Sequence, residues 1–321
     1  MVIWNLLVLV GILLILILLT SFFCFLKVFY SPKRKERGAD EFETPKGAIY
    51  DPYRDEMLNW TKEMRALPHE EWRITSYDGL TLYGKYYECR KGALTEIMFH
   101  GYRGDGERDL CGGVARCFAL GRNALIVDQR AGGKSDGHVI TFGIRESRDC
   151  LSWAEHAMRV LGEEVPLQLT GISMGAATVL IASGEPLPRS VVAILADCGY
   201  TSAEEIIKKV IKDMHLPPVI LFPFVSLGAR LFGRFSLKER SPIEGVRKAK
   251  LPILFFHGEA DDFVPVEMSE RMQAACASPS RLVRVEGAGH GLAFSKNKEA
   301  YLFEMRRFEE QHLHQGANKG S

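Results

Sequence analysis

The chain has 321 residues, with 41 Lys and Arg against 40 Asp and Glu, a formal net charge of +1. At about 100–200 residues per domain, that is one large α/β domain or two modest ones. With 46% hydrophobic and 25% charged residues it is ordinary globular material, which excludes disorder and low complexity. No nucleic-acid partner is expected, because phosphate binding needs a basic surface. The cysteines (Cys24, Cys89, Cys111, Cys117, Cys150, Cys198, Cys276) are odd in number and scattered. They form neither a CxxC metal pattern nor a disulfide framework, and read as free thiols in a reducing compartment.

From Leu6 to Leu26 no residue is charged. At 1.5 Å per residue a helix there reaches about 30 Å, the hydrocarbon thickness of a bilayer. A cleaved signal peptide is the alternative reading. Against it, nothing basic precedes the run, the run is long for a signal core, and no small-x-small cleavage site follows. A lipoprotein reading through Cys24 fails because Phe22 and Phe23 stand where small residues are needed. Residues 1–29 are therefore read as a single-pass anchor. Lys27, Lys33, Arg34, Lys35 and Arg37 follow the span, so the positive-inside tendency places the C-terminal body in the cytoplasm.

Residues 30–50 read as a linker, 51–313 as the main domain, and 314–321 as a flexible tail. Asp51 to Leu67 carries Met57, Leu58, Trp60, Met64 and Leu67 at helical spacing, which predicts an amphipathic helix. Trp72–Tyr77 and Thr81–Glu88 flank Asp78-Gly79, a hairpin signal. Glu96–Phe99, Ala124–Val127, Leu167–Leu169, Val191–Leu195, Ile253–Phe256 and Leu282–Val285 are short and mostly apolar, as buried parallel strands are. Helical stretches such as Ile144–Val160 and Ala176–Ser183 lie between them. The alternation predicts a mostly parallel central sheet with helices on both faces, and chemistry at the carboxyl ends of its strands.

Gly171-Ile172-Ser173-Met174-Gly175 follows one such strand and opens a helix. A G-x-S-x-G in that setting is a nucleophile elbow: the turn is too tight for side chains at its glycines, and it lifts the Ser173 hydroxyl above the sheet at a helix N-terminus. A serine hydroxyl needs a histidine base oriented by a carboxylate. Both follow in the order Ser, acid, His: Asp261 after the strand Ile253–Phe256, and His290 in the Gly-rich loop after Leu282–Val285. Asp197, at another strand end, and Asp262 are the alternative acids. His100-Gly101-Tyr102-Arg103-Gly104 follows the strand Glu96–Phe99 and is assigned the oxyanion hole, with backbone N–H groups from Tyr102 and from Met174 after the nucleophile. His100 is read as a residue that fixes this loop.

Together, Gly171–Gly175, His100–Gly104, His257–Pro265 and Gly289–Gly291 resemble the α/β-hydrolase superfamily of serine hydrolases. Asp128-Gln129-Arg130-Ala131-Gly132-Gly133-Lys134-Ser135 also resembles its D-x-R-G-x-G-x-S turn, with Ala131 where the family often has Gly. The resemblance spans about residues 70–313 and is nearest to membrane-anchored, prolyl-oligopeptidase-like hydrolases. It implies the α/β-hydrolase fold and acyl-enzyme hydrolysis with no metal or organic cofactor. Asp128 and Arg130 are then structural.

Gly133-Lys134-Ser135 lacks the earlier P-loop glycine, and no G-x-G-x-x-G after a strand and no H-E-x-x-H occur. Thr201 to about Pro242 interrupts the alternation and reads as a helical cap, with an apolar run, Leu216–Val225, broken by prolines. That run is either an acyl-binding wall or bilayer-facing surface, or simply a cap packing on its own domain. The expected substrate is a small-molecule or lipid acyl compound. Carboxylic ester hydrolysis comes first, thioesterase, lipid acyl hydrolase and serine peptidase share the machinery, and a silent membrane-tethered binding module is the rival. With a histidine base, activity should rise through roughly pH 6–8. Oligomeric state is not legible.

Overall fold

The computed structural model describes residues 1–33 and 37–313. Arg34 and Lys35 of the basic flank, and the tail 314–321, lie outside the described residues. The chain opens with α1 (Val2–Val28), then a 3₁₀ turn at Ala48–Tyr53 and α2 (Arg54–Ala66). The hairpin of β1 (Glu70–Thr75) and β2 (Thr81–Tyr87) comes next. Alternation starts at β3 (Thr95–Phe99), α3 (Gly106–Ala119), β4 (Asn123–Asp128), α4 (Glu146–Leu161), β5 (Leu167–Ile172), α5 (Met174–Ala182) and β6 (Val191–Asp197). Two helices then intervene, α6 (Ala203–Asp213) and α7 (Pro218–Leu231), followed by α8 (Pro242–Val246). The chain closes with β7 (Ile253–Gly258), α9 (Val266–Ala275), β8 (Ser280–Val285), α10 (Ala293–Lys296) and α11 (Lys298–His312).

The eight strands form one sheet in the order β1-β2-β4-β3-β5-β6-β7-β8. Within this sheet the β1–β2 and β2–β4 pairs are antiparallel; from β4 to β8 every pair is parallel. Every residue of β3, β4 and β7 is buried, as expected of parallel strands covered on both faces. Alternate side chains feed two cores. Ile97, Phe99, Leu125, Val127, Leu169 and Phe255 pack with α4, α5, α8 and α9. Met98, Ala124 and Ile126 meet α2 and α3 on the other face, where Leu195, Leu254 and Phe256 meet α11. The parallel register puts the ends of β3, β5, β6, β7 and β8 along one edge, where the site forms.

A charge cluster pins the opposite side of β3. Glu96, fully buried, accepts from Arg116 at 2.5 Å and Arg122 at 2.8 Å, and from Thr170 Oγ1 at 3.0 Å. Breaking one member of such a cluster leaves uncompensated buried charge, which costs more than the cluster contributes.

Three details depart from the sequence reading. The amphipathic helix starts at Arg54, and Ala48–Tyr53 ahead of it forms a 3₁₀ turn that packs near the site. The stretch read as a linker is tied to the body at its start: Ser31 Oγ donates to Ala131 O at 2.9 Å, and Tyr30 bridges to Val139. The prolines of the cap do not break its apolar run, since Pro218–Leu231 is one helix. Pro218 sits in the first turn, where no N–H is needed. Pro223 removes only the bond to the Val219 carbonyl, on a residue 88% exposed.

Helix α1 is long and apolar enough to cross a membrane. Its first twenty residues stand clear of the body, whereas Ser21, Phe25 and the following Phe29 are buried. There it crosses α7 so closely that a Cβ on Gly228 would collide with the Ser21 carbonyl. Phe232 stacks edge-on against Phe22 at 5.0 Å.

Candidate active site

Ser173 stands between β5 and α5 with φ +55° and ψ −113°. That left-handed backbone is costly for a residue with a side chain, by about 1–3 kcal/mol, and it persists only where the surroundings enforce it. The enforcement is local. A Cβ on Gly171 would overlap the Gly175 backbone, and one on Gly175 would overlap the Phe99 carbonyl. Only glycine lets the turn close, and the closed turn projects Ser173 at the first turn of α5.

His290 and Asp261 come to meet it from two other strand ends. His290 Nε2 lies 2.9 Å from Ser173 Oγ, and His290 Nδ1 lies 2.7 Å from Asp261 Oδ2. With Nδ1 protonated toward the carboxylate, Nε2 is left to accept from the serine hydroxyl. Asp261 Oδ1 is used as well, accepting the backbone N–H of Phe263 at 3.0 Å and of Val264 at 2.8 Å. Burial alone would raise the Asp261 carboxyl. Hydrogen bonds from His257, His290 and the Val264 amide outweigh it and hold the group well below the usual carboxylate range. It therefore stays anionic at neutral pH.

His257 is a residue whose part the sequence reading missed. Fully buried at the end of β7, it bridges Val264 O and Ser269 Oγ, each at 2.7 Å, and so shapes the turn that presents Asp261. Phe263 packs its ring 5.0 Å from that of His290. Of the alternative acids, Asp197 accepts from Tyr301 Oη at 3.1 Å, on the far side of β6, and Asp262 is exposed.

The loop after β3 lies against the serine: a Cβ at Gly101 would sit 3.7 Å from Ser173 Cβ. Asp109 Oδ2 accepts the Gly101 N–H at 3.0 Å, and Gly104 N–H closes back on Gly101 O at 3.1 Å. His100 accepts the Gln129 N–H at 2.9 Å while Gln129 Nε2 donates to His100 O at 2.6 Å, so this histidine fixes the loop. Among the described residues, the backbone N–H groups of Tyr102 and Met174 have no acceptor. Asp128 accepts the Gly106 and Lys134 amides at 2.8 Å each. Arg130 forks onto Asp149 and Asp78.

The 3₁₀ turn adds a wall that periodicity could not reveal. Ile49 approaches Gly289, whose added Cβ would lie 3.5 Å from it. Burial, with the nearby Cys198, Asp109 and Asp261, pushes the Tyr50 phenol upward. Cys198, Asp261 and His290 also place one potential ligand atom each within 4.8 Å of one another. His290 and Asp261 are already engaged with each other there, and Cys198 is a buried thiol raised by desolvation.

Residues 234–305 match the family Abhydrolase_4, described as TAP-like protein. Protein YqkD of Bacillus subtilis is 28% identical over 190 residues, covering 59% of this chain and 62% of that protein. Protein bem46 of Schizosaccharomyces pombe is 29% identical over 199 residues, 60% of each chain. This chain therefore spans less than two thirds of the length of those relatives. Among solved structures, the esterase Pf2001 of Pyrococcus furiosus superimposes with a TM-score of 0.63 at 21% identity, over 86% of this chain and 99% of that one. The eight-stranded sheet, its crossover helices, the strand-to-helix turn at Ser173 and these likenesses agree: the chain has the α/β-hydrolase fold.

Proposed function

We propose that the protein is a serine hydrolase that cleaves carboxylic ester or related acyl bonds through an acyl-enzyme. The reading is carried by one observation, the imidazole of His290 lying 2.9 Å from the Ser173 hydroxyl and 2.7 Å from the Asp261 carboxylate. In this mechanism His290 Nε2 takes the Ser173 proton as Oγ bonds to the substrate carbonyl carbon. The oxyanion falls to the amides of Tyr102 and Met174, each such donor contributing about 10²–10³ in rate. The imidazolium, stabilised by Asp261, passes its proton to the leaving group. Water then adds to the acyl-enzyme, giving its proton to His290, and the acid departs as Ser173 recovers its hydrogen.

Ester chemistry is preferred to peptide chemistry because Pf2001, of like fold, is an esterase, and because Ile49 puts an apolar side chain against Gly289, next to His290. Helix α1 is read as a retained membrane anchor with the body on the cytoplasmic side. Retention is supported by the burial of Phe25 and Phe29, which makes the end of the helix part of the body's core.

A fluorophosphonate probe should label the full-length protein, and Ser173→Ala should abolish both labelling and ester turnover, with kcat down by about 10⁴-fold or more. Turnover that survives this change in purified protein overturns the reading. A series of p-nitrophenyl esters of rising chain length beside an aminoacyl anilide would separate esterase from peptidase.

A further inference from the structure

The end of α1 and the loop after β3 are joined by three hydrogen bonds from two consecutive residues. Tyr102 Oη donates to Val28 O at 2.7 Å. Arg103 Nη2 donates to the carbonyls of Lys27 and Tyr30, each at 2.9 Å. The last four carbonyls of a helix have no partner within it. In α1, Phe25 O is satisfied by the amides of Phe29 and Tyr30, and the carbonyls of Lys27 and Val28 are satisfied by this loop. A guanidinium is also the favoured charge at the negative end of a helix.

These bonds fall where the loop is most constrained. Arg103 has φ +51°, a left-handed backbone that needs support from its surroundings in a residue with a side chain. His100 and Gly101 are fixed by bonds to the body, the Gly104 amide closes back on Gly101 O, and Arg103 O accepts from Arg108 at 3.2 Å, so on the body side the loop is held through its backbone and His100. Tyr102 and Arg103 instead reach outward to α1.

The turn they grip is itself immobilised. Phe29 is fully buried, with the rings of Phe142 at 5.9 Å and Phe235 at 5.2 Å. The N–H of Ile140 donates to Phe29 O at 2.9 Å, and that of Ser31 to His138 O at 2.9 Å. Phe142 in turn lies 5.2 Å from the Tyr102 ring. The last turn of α1 is thus a fixed post, and the loop is tied to it.

We propose that this last turn is a positioning element of the acyl site: through Tyr102 and Arg103, the carbonyls of Lys27, Val28 and Tyr30 set the direction of the Tyr102 amide toward the oxyanion. The inference rests on the reading of Ser173, His290 and Asp261 as the acyl-transfer centre. It makes the apolar helix more than a tether, because any rotation or withdrawal of α1 would turn an oxyanion donor.

The test uses the full-length chain in detergent micelles. Tyr102→Phe deletes the phenol and keeps the ring and the amide; Arg103→Met deletes the guanidinium. Each should lower kcat for a p-nitrophenyl ester about 10–100-fold, since misplacement by about 1 Å has that scale. KM should stay within about threefold and the midpoint of the pH–rate profile should not move, because His290 and Asp261 are untouched. Arg103→Lys should restore part of the loss. Ser31→Ala removes a buried bond from the same stretch of chain to Ala131, one that involves neither Tyr102 nor Arg103, and should leave kcat within about twofold.

Amide hydrogen exchange, which needs no turnover, should quicken at residues 101–103 in Tyr102→Phe and Arg103→Met. The proposal is overturned if both variants match the parent in kcat and exchange, or if Ser31→Ala loses as much kcat as they do, since the effect would then be general loosening. Failure of the underlying reading has a different signature, a parent whose Ser173 takes no fluorophosphonate. The exchange measurement still decides whether α1 holds the loop in that case.

Discussion

Ser173 owes its position to residues within two positions of it, Gly171 and Gly175, and to the strand and helix they join. Tyr102 reaches its place through Val28, 74 positions earlier in the chain. The two halves of the proposed acyl site are therefore held by different kinds of contact. The elbow and Asp261 are carried by the ends of β5 and β7, strands buried on both faces, and His290 by the loop after the half-buried edge strand β8. The loop after β3 is carried partly by a helix whose first twenty residues stand outside the body. Strand ends move only if the sheet moves, whereas this loop keeps its place only while the last turn of α1 stays packed on the body. The nucleophilic centre should accordingly be the more robust half and the oxyanion loop the more adjustable one.

Variants can separate the halves. The largest effect is expected from Asp261→Asn, which removes the anion that orients and stabilises His290; kcat should fall about 10⁴-fold. Hydrogen exchange at residues 101–103 should stay as in the parent, and a loop that loosened in this variant would break the distinction. Next in size, Glu96→Ala leaves Arg116 and Arg122 buried without their shared anion. It should cost about 3–5 kcal/mol in denaturant unfolding and weaken both halves together, since β3 supports both.

A third variant acts through pH. Burial pushes the Asp197 carboxyl up to about 6, only partly offset by the Tyr301 hydroxyl, and its Oδ1 has no hydrogen-bond partner among the described residues. A raised carboxyl binds its proton more tightly in the folded state. Stability is therefore lost as pH rises from the unfolded value near ~4 to about 6, and stays lost above it. Asp197→Asn removes that charge and keeps an acceptor for Tyr301. It should stabilise the fold by about 2–3 kcal/mol at pH 8 and by almost nothing at pH 4, while kcat is retained because Asp197 does not touch His290. The smallest change is Ser31→Ala, about 1 kcal/mol for one buried hydrogen bond, read as a shift in thermal midpoint.

Much of the sheet and of the proposed centre was legible in the chain. Parallel strands buried on both faces must be short apolar runs, and β3 to β7 are. The elbow announces itself because its glycines, its serine and the helix start all lie in one pentapeptide. Asp261 and His290 are proposed from their order and from their places after strands. The remainder left no local trace. His257 looks like any strand-end histidine until Val264 and Ser269 fold back on it. Ala48–Tyr53 has no apolar periodicity, so its turn beside the site could not be read. The prolines of the cap suggested a break because a tripeptide cannot say whether Pro stands at a helix start. Nothing in Tyr102 or Arg103 points to residues 27, 28 and 30.

Composition and spacing alone determined that this chain carries one long apolar helix and a parallel α/β body with a serine elbow, because burial on two faces and a tight strand-to-helix turn each admit few residue types. Tertiary structure alone decided that His290 stands between Ser173 and Asp261, and that the end of the apolar helix grips the loop beside them. Such contacts join groups far apart in sequence through backbone carbonyls, and a carbonyl is the same at every residue, so no side-chain pattern could have announced them.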